Sequence, residues 1–132
     1  MLDHIAIRVS DLARSKEFYR AALRPLHYAL RKEIPDAAGF GVADGPGKSP
    51  DPGGDFWLIR SNPPLPRIHV AFNASAREQV DVFFAAACAA GGISNGAPGL
   101  RPEYHPHYYA AFILDPDGYN IEVVCHLEPV AR

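Results

Sequence analysis

Two histidines stand at the same place in two copies of one phrase. The first copy begins His4-Ile5-Ala6-Ile7-Arg8-Val9-Ser10 and continues to Ala22; the second begins His69-Val70-Ala71-Phe72-Asn73-Ala74-Ser75 and continues to Ala87. They align without a gap, His4 on His69, Ala6 on Ala71, Phe18 on Phe83 and Ala22 on Ala87. Each copy opens with the alternation of a half-buried strand. Strand side chains alternate between faces, so His4, Ala6 and Arg8 share one face, and His69, Ala71 and Asn73 share the pseudo-equivalent face. Near the other end of the chain Asn120, Glu122, Val124 and His126 share a face of a last strand. Two imidazole nitrogens and a carboxylate oxygen from three strands suit Fe(II), Mn(II), Zn(II) or Ni(II). Such a set leaves coordination positions open for water and substrate.

The elements that must position these groups follow the same repeat. Leu2–Val9 reads as a strand, and Ser10 or Asp11 can cap the helix that follows, through a short side-chain oxygen that accepts from the free N–H groups of the first turn. Leu12, Ser15, Phe18, Tyr19, Ala22 and Leu23 recur at helical spacing, and Pro25 stops the helix. Tyr28–Ile34, Gly39–Val42 and Phe56–Arg60 complete the first half as strands. Ala43–Asp55 is rich in Gly and Pro, a loop long enough for a lid. Ser61–Pro66 reads as the linker. The second half predicts a strand over Arg67–Asn73, a helix from Ser75 to about Ala90 closed by Gly91-Gly92, a weak strand over Ile93–Pro98, and strands over Tyr108–Leu114 and Tyr119–Cys125. Asp115-Pro116-Asp117-Gly118 is the hairpin turn between the last two. Each half is β-α-β-β-β, with modules of about 1–62 and 66–128. Aligning Phe56–Ile59 on Asn120–Val123 sets Leu58 opposite Glu122.

Composition bounds the function. At 132 residues with 48% hydrophobic content the chain is one domain's worth with an ample core. A net charge of −2 gives no electrostatic footprint for nucleic acid or an anionic membrane. No apolar run approaches the roughly 20 residues of a membrane span. Met1-Leu2-Asp3-His4 lacks a basic n-region and an apolar h-region, so it does not read as a signal peptide. Cys88 and Cys125 form no spaced framework and read as free thiols of a cytoplasmic protein.

These residues resemble the vicinal oxygen chelate superfamily, which includes glyoxalase I, bleomycin-resistance proteins, fosfomycin-resistance proteins and extradiol dioxygenases. The resemblance is carried by His4–Leu12 with Phe18-Tyr19, by His69-Val70-Ala71-Phe72, and by Asp115–Glu122, and it covers nearly the whole chain. It implies an α+β fold of two βαβββ modules. Their strands would form an open, barrel-like mixed sheet around a central cavity, with the helices outside. It implies a divalent metal ligated by His4, His69 and Glu122, a small oxygen-rich substrate, and a homodimer. The implied activity is that of a glyoxalase-like lyase or isomerase, or of an extradiol dioxygenase. The alternative is a metal-free binding or sequestration protein of the bleomycin-resistance type. Glyoxalase-like relatives carry a fourth ligand where the internal alignment puts Leu58. The extradiol tyrosine before the turn corresponds to Phe112, and the fosfomycin-resistance threonine corresponds to Ala6.

Further candidates surround that set. Tyr104-His105-Pro106-His107-Tyr108-Tyr109 precedes the seventh strand. His105, His107, Tyr108 and Tyr109 can supply a general acid or base or hold substrate oxygens, with His107 and Tyr108 expected as catalytic and His105 as a substrate contact. The same loop can instead pack its rings on the sheet, and its His-x-His spacing can hold a second metal. Arg8, Arg60 and Asn73 fall inward by alternation. An inward Arg needs an anion, either of the substrate or in a salt bridge that closes the sheet. Phe56 and Leu58 are expected as an apolar substrate wall, with Asn120 as a further substrate contact.

Overall fold

The computed structural model describes residues 1–129. They form eight strands and two α-helices, in two compact units that divide between Pro66 and Arg67. In the first unit the order is β1 (Ile5–Val9), α1 (Leu12–Ala22), a 3-10 turn (Arg24–Leu26), β2 (Tyr28–Ile34), β3 (Ala37–Val42) and β4 (Phe56–Arg60). In the second it is β5 (His69–Ala74), α2 (Arg77–Ala89), β6 (Ile93–Leu100), β7 (Tyr109–Leu114) and β8 (Asn120–Cys125). Each unit is thus βαβββ with its own four-stranded mixed sheet, ordered β1-β4-β3-β2 in one and β5-β8-β7-β6 in the other. The α+β two-module fold expected from the repeat is present.

Local chemistry explains the helix starts. Asp11 is the N-cap of α1, and its Oδ1 accepts the Arg14 N–H at 3.1 Å. At α2 the N-cap is Ala76, which offers no side-chain cap. There Gln79 Oε1 instead reaches back to the Ser75 N–H at 2.8 Å and its hydroxyl at 3.0 Å. Ser75, the expected cap, therefore lies one residue before the actual N-cap. The 115–118 turn forms as expected: Asp115 Oδ1 accepts from the N–H groups of Asp117 and Tyr119, both at 2.9 Å. Gly118 there adopts φ +84°, a conformation that glycine reaches without a Cβ penalty.

The pairing registers decide which side chains share a face. In the second unit Ala71 pairs with Glu122, and Glu122 with Phe112. In the first unit Ala6 pairs with Trp57, and Trp57 with Gly39. Since Ala6 and Ala71 are repeat equivalents, the residue opposite Glu122 is Trp57, not Leu58. The expected alignment is one residue off, and a one-residue slip flips every side chain of a strand. Phe56 and Leu58 accordingly lie fully buried on the face of Ile7 and Val9. Tyr19 of α1 meets the Phe56 ring edge-on at 5.0 Å. They are core under α1, which corrects the expectation of a substrate wall. Each such buried side chain contributes roughly 1.5–3 kcal/mol.

The 43–55 segment is not a free lid. The Asp55 N–H donates to the Phe40 carbonyl at 2.9 Å, and Asp51 Oδ1 accepts the Gly53 N–H at 2.8 Å. The Trp57 indole N–H donates to the Gly54 carbonyl at 3.1 Å. A Cβ on Gly39 would meet the Gly53 carbonyl and, at 2.8 Å, the Trp57 ring. The loop therefore lies against the face of the first sheet that carries Trp57. Gly54 has φ +94°, and a Cβ there would collide with the Phe40 carbonyl. Gly45 also has a positive φ, +81°, but open space around it. Gly54→Ala should cost roughly 1–3 kcal/mol or more and red-shift Trp57 fluorescence, whereas Gly45→Ala should cost only the backbone penalty. Equal melting temperatures for the two variants would contradict this packing.

Candidate functional site

The second sheet has one face under α2 and one face that carries polar groups. Val70, Phe72, Ala111, Ile113, Ile121 and Val123 are buried with Val80, Phe83 and Ala87 of α2. Tyr109 belongs to this helix side. Its hydroxyl donates to Asp81 Oδ1 at 2.6 Å, and the Arg77 guanidinium lies 5.2 Å from its ring. The Asp81 bond, with burial, pushes the phenol up to about 12. Tyr109 thus anchors α2 to β7, a structural role.

On the opposite face His69, Glu122 and Tyr108 form one network. His69 pairs with Asn120 across β5 and β8, and its Nδ1 lies 2.8 Å from the Asn120 carbonyl oxygen. A carbonyl only accepts, so Nδ1 carries the proton. His69 Nε2 then faces Glu122 Oε1, 2.8 Å away. Glu122 is 3% exposed while His69 is 45% exposed. Its second oxygen, Oε2, accepts a short hydrogen bond from the Tyr108 hydroxyl. Burial, then the Glu122 hydrogen bond and charge, push the Tyr108 phenol up to about 12. Tyr108 therefore remains a donor throughout the neutral range. Phe112 stacks on His69 with ring centroids 6.1 Å apart at 27°.

Proton accounting shows what this arrangement accommodates. An imidazole lone pair and a carboxylate oxygen, both acceptors, cannot face each other at 2.8 Å without a cation between them. A shared proton serves, and so does a metal. Donors at about 2.1 Å from a tetrahedral or octahedral cation stand roughly 3.0–3.4 Å apart, a small adjustment from the observed separation. A backbone carbonyl that fixes the tautomer of a histidine is also the usual support of a metal ligand. Asn120 adds a buried Oδ1 with no hydrogen-bond partner, an acceptor awaiting a donor. The donor set thus fits a divalent cation at His69 Nε2 and Glu122 Oε1. Among the described residues, no three His, Cys, Asp or Glu side chains gather as a metal-holding group.

The remaining expected residues distribute as follows. His4 precedes β1, is exposed, and has Nδ1 2.7 Å from Asp3 Oδ1. Arg8 is exposed on β1 and Asn73 on β5. Arg60 pairs with Asp36 at 2.5 Å on the surface of the first unit, the sheet-closing salt bridge rather than an inward cation. His107 pairs with Glu128, Nε2 to Oε1 at 3.1 Å, and is not part of the Glu122 network. His105 Nδ1 accepts the His107 backbone N–H at 3.1 Å, so its proton is on Nε2 and donates to His126 Nδ1 at 2.8 Å. Tyr108 stands edge-on to both of these rings, with centroids 5.5 and 5.2 Å away. His126 and Phe112 were legible as members of the face by alternation, but neither had been given a role. Arg101, 5.5 Å over the Phe112 ring, had no signal in the sequence.

Comparison with known proteins agrees with this architecture. The family model for the glyoxalase/bleomycin resistance protein/dioxygenase superfamily matches residues 1–123. A glyoxalase/bleomycin resistance protein from Albidiferax ferrireducens T118 superposes with a TM-score of 0.76 at 28% identity, covering 95% of this chain and 98% of the other. A family enzyme from Burkholderia phytofirmans PsJN gives 0.70 at 18% identity, with the same coverage. A glyoxalase I variant from Zea mays gives 0.66 at 24% identity over 93% of this chain, which spans 46% of that longer protein. No curated protein matches. Among the described residues no helix is long and apolar enough to cross a membrane. With two βαβββ units and a family match over residues 1–123, the chain belongs to the glyoxalase/bleomycin resistance protein/dioxygenase superfamily.

Proposed function

We propose that the protein is a metal-dependent enzyme of this superfamily, acting on a small oxygen-rich substrate at the polar face of its second module. The observation that carries this reading is the opposition of His69 Nε2 and Glu122 Oε1, two acceptors at 2.8 Å with the histidine tautomer set by the Asn120 carbonyl. The resemblance implies His4 as a third ligand. A divalent ion held there, iron, zinc, manganese or nickel, would supply Lewis acidity toward a substrate oxygen. The protein's own groups do the rest. His69 is held by its Nδ1–H, and Tyr108 holds the Glu122 carboxylate in orientation through Oε2. Trp57, at the position equivalent to Glu122, has no ligating atom, so the first module adds no fourth donor at that position. Homodimer formation and a cytoplasmic location belong to the same proposal.

Metal content after dialysis tests the reading. The wild type should retain stoichiometric metal, and Glu122→Gln and His69→Gln should retain none. His4→Gln should weaken binding strongly. Tyr108→Phe should cost about 10–100-fold in affinity, as the loss of a supporting hydrogen bond does. Stoichiometric metal in Glu122→Gln would overturn the ligand assignment. A wild type that binds no metal would return the protein to the binding or sequestration class.

The pH dependence has a definite sign. A divalent ion held between His69 Nε2 and Glu122 Oε1 would displace a proton lying between them, so its binding should release a proton and its affinity should rise with pH. Isothermal titration in buffers of different ionisation enthalpy reads that proton directly. Binding without proton release would contradict the shared-proton geometry.

A further inference from the structure

The polar face of the second module also holds a cation with no carboxylate beside it. Arg101 opens the loop that Tyr108 closes, and the Arg101 N–H donates to the Tyr108 carbonyl at 2.7 Å. The Arg101 guanidinium lies 5.5 Å from the centroid of Phe112, the ring that stacks on His69 and pairs across the strands with Glu122. Two glycines make the hollow it occupies. A Cβ on Gly96 would stand 3.3 Å from Nη2, and one on Gly99 would stand 3.1 Å from Nη1. Nη2 donates to the Ala97 carbonyl at 2.8 Å and Nη1 to the Leu100 carbonyl at 3.4 Å. A guanidinium has five N–H donors, so several remain. Among the described residues no carboxylate lies within 4.0 Å of it.

We propose that Arg101 binds the carboxylate of a small monoanionic substrate whose other oxygens face His69, Glu122 and Tyr108. The inference rests on the reading of this face as the substrate surface. Three features favour a carboxylate. The guanidinium fork matches its planar pair of oxygens. The aromatic ring and the two backbone carbonyls hold the fork in place. With no carboxylate among the described residues within 4.0 Å, the guanidinium supplies one positive charge, which matches a monoanion, whereas a phosphate dianion would be left with uncompensated charge.

Benzoate and benzamide have the same shape and differ in charge, and their binding to metal-free protein can be followed by 15N NMR of the Arg101 Nε–H. The wild type should bind benzoate at least tenfold more tightly than benzamide, with the Arg101 Nε–H resonance shifting. Arg101→Gln should reduce benzoate affinity at least tenfold, to the benzamide level. Arg101→Lys, which keeps the charge without the fork, should fall between. If the Gln variant does not fold, the Lys variant decides: undiminished benzoate binding overturns the proposal. Equal wild-type affinity for benzoate and benzamide overturns it too, as does inorganic phosphate binding more tightly than benzoate. Benzoate binding is read on metal-free protein and metal retention on dialysed protein, so failure of the metal assignment and failure of the Arg101 assignment are distinguishable.

Discussion

A backbone carbonyl holding one imidazole proton organises the chemistry of the second module. Because the Asn120 oxygen can only accept, His69 must carry a proton on Nδ1 and turn its Nε2 toward Glu122. Glu122 is almost wholly buried, and a buried carboxylate needs partners on both oxygens. Tyr108 supplies one and His69 faces the other. The β5–β8 register makes this possible by setting His69 beside Asn120 and Ala71 beside Glu122. The small Ala71 side chain leaves room for the histidine ring to lean toward the carboxylate.

The two modules share a fold but have spent their equivalent faces differently. Where the second module has Glu122 flanked by Phe112, the first has Trp57 flanked by Gly39. The missing side chain at Gly39 admits the Trp57 ring and the Gly53 carbonyl. The 43–55 insertion then packs there, tied by its own hydrogen bonds to β3 and to Trp57. Duplication thus leaves one face filled by its own loop and the other lined with groups that can bind. A glycine on one side and a carboxylate on the other are enough to separate packing from chemistry.

Much of this was legible in the sequence, and the misses have physical causes. The gapless alignment of the two phrases gave the duplicated fold, both helices and His69 at the start of β5, although His4 stands just before β1. Asp115-Pro116-Asp117-Gly118 gave the last hairpin. The register of β4 was not legible, because Phe56-Trp57-Leu58-Ile59 is continuously apolar and shows no alternation, and the insertion before it hides where the gap belongs. A one-residue error there moved Phe56, Leu58 and Arg60 to the wrong face. Loop residues were harder still. Nothing in the sequence shows that His107 pairs with Glu128, that Tyr109 ties to α2, or that Arg101 folds over Phe112. Those contacts depend on how the 101–108 loop closes, which no periodicity encodes.

The most direct test of this account is the tautomer of His69, read by 15N NMR of histidine-labelled protein before and after addition of Zn(II). The account predicts a protonated Nδ1 in both states and a zinc-induced shift at Nε2 that disappears in Glu122→Gln. An unprotonated Nδ1 in the metal-free protein, or zinc binding that shifts Nδ1 instead, would contradict it.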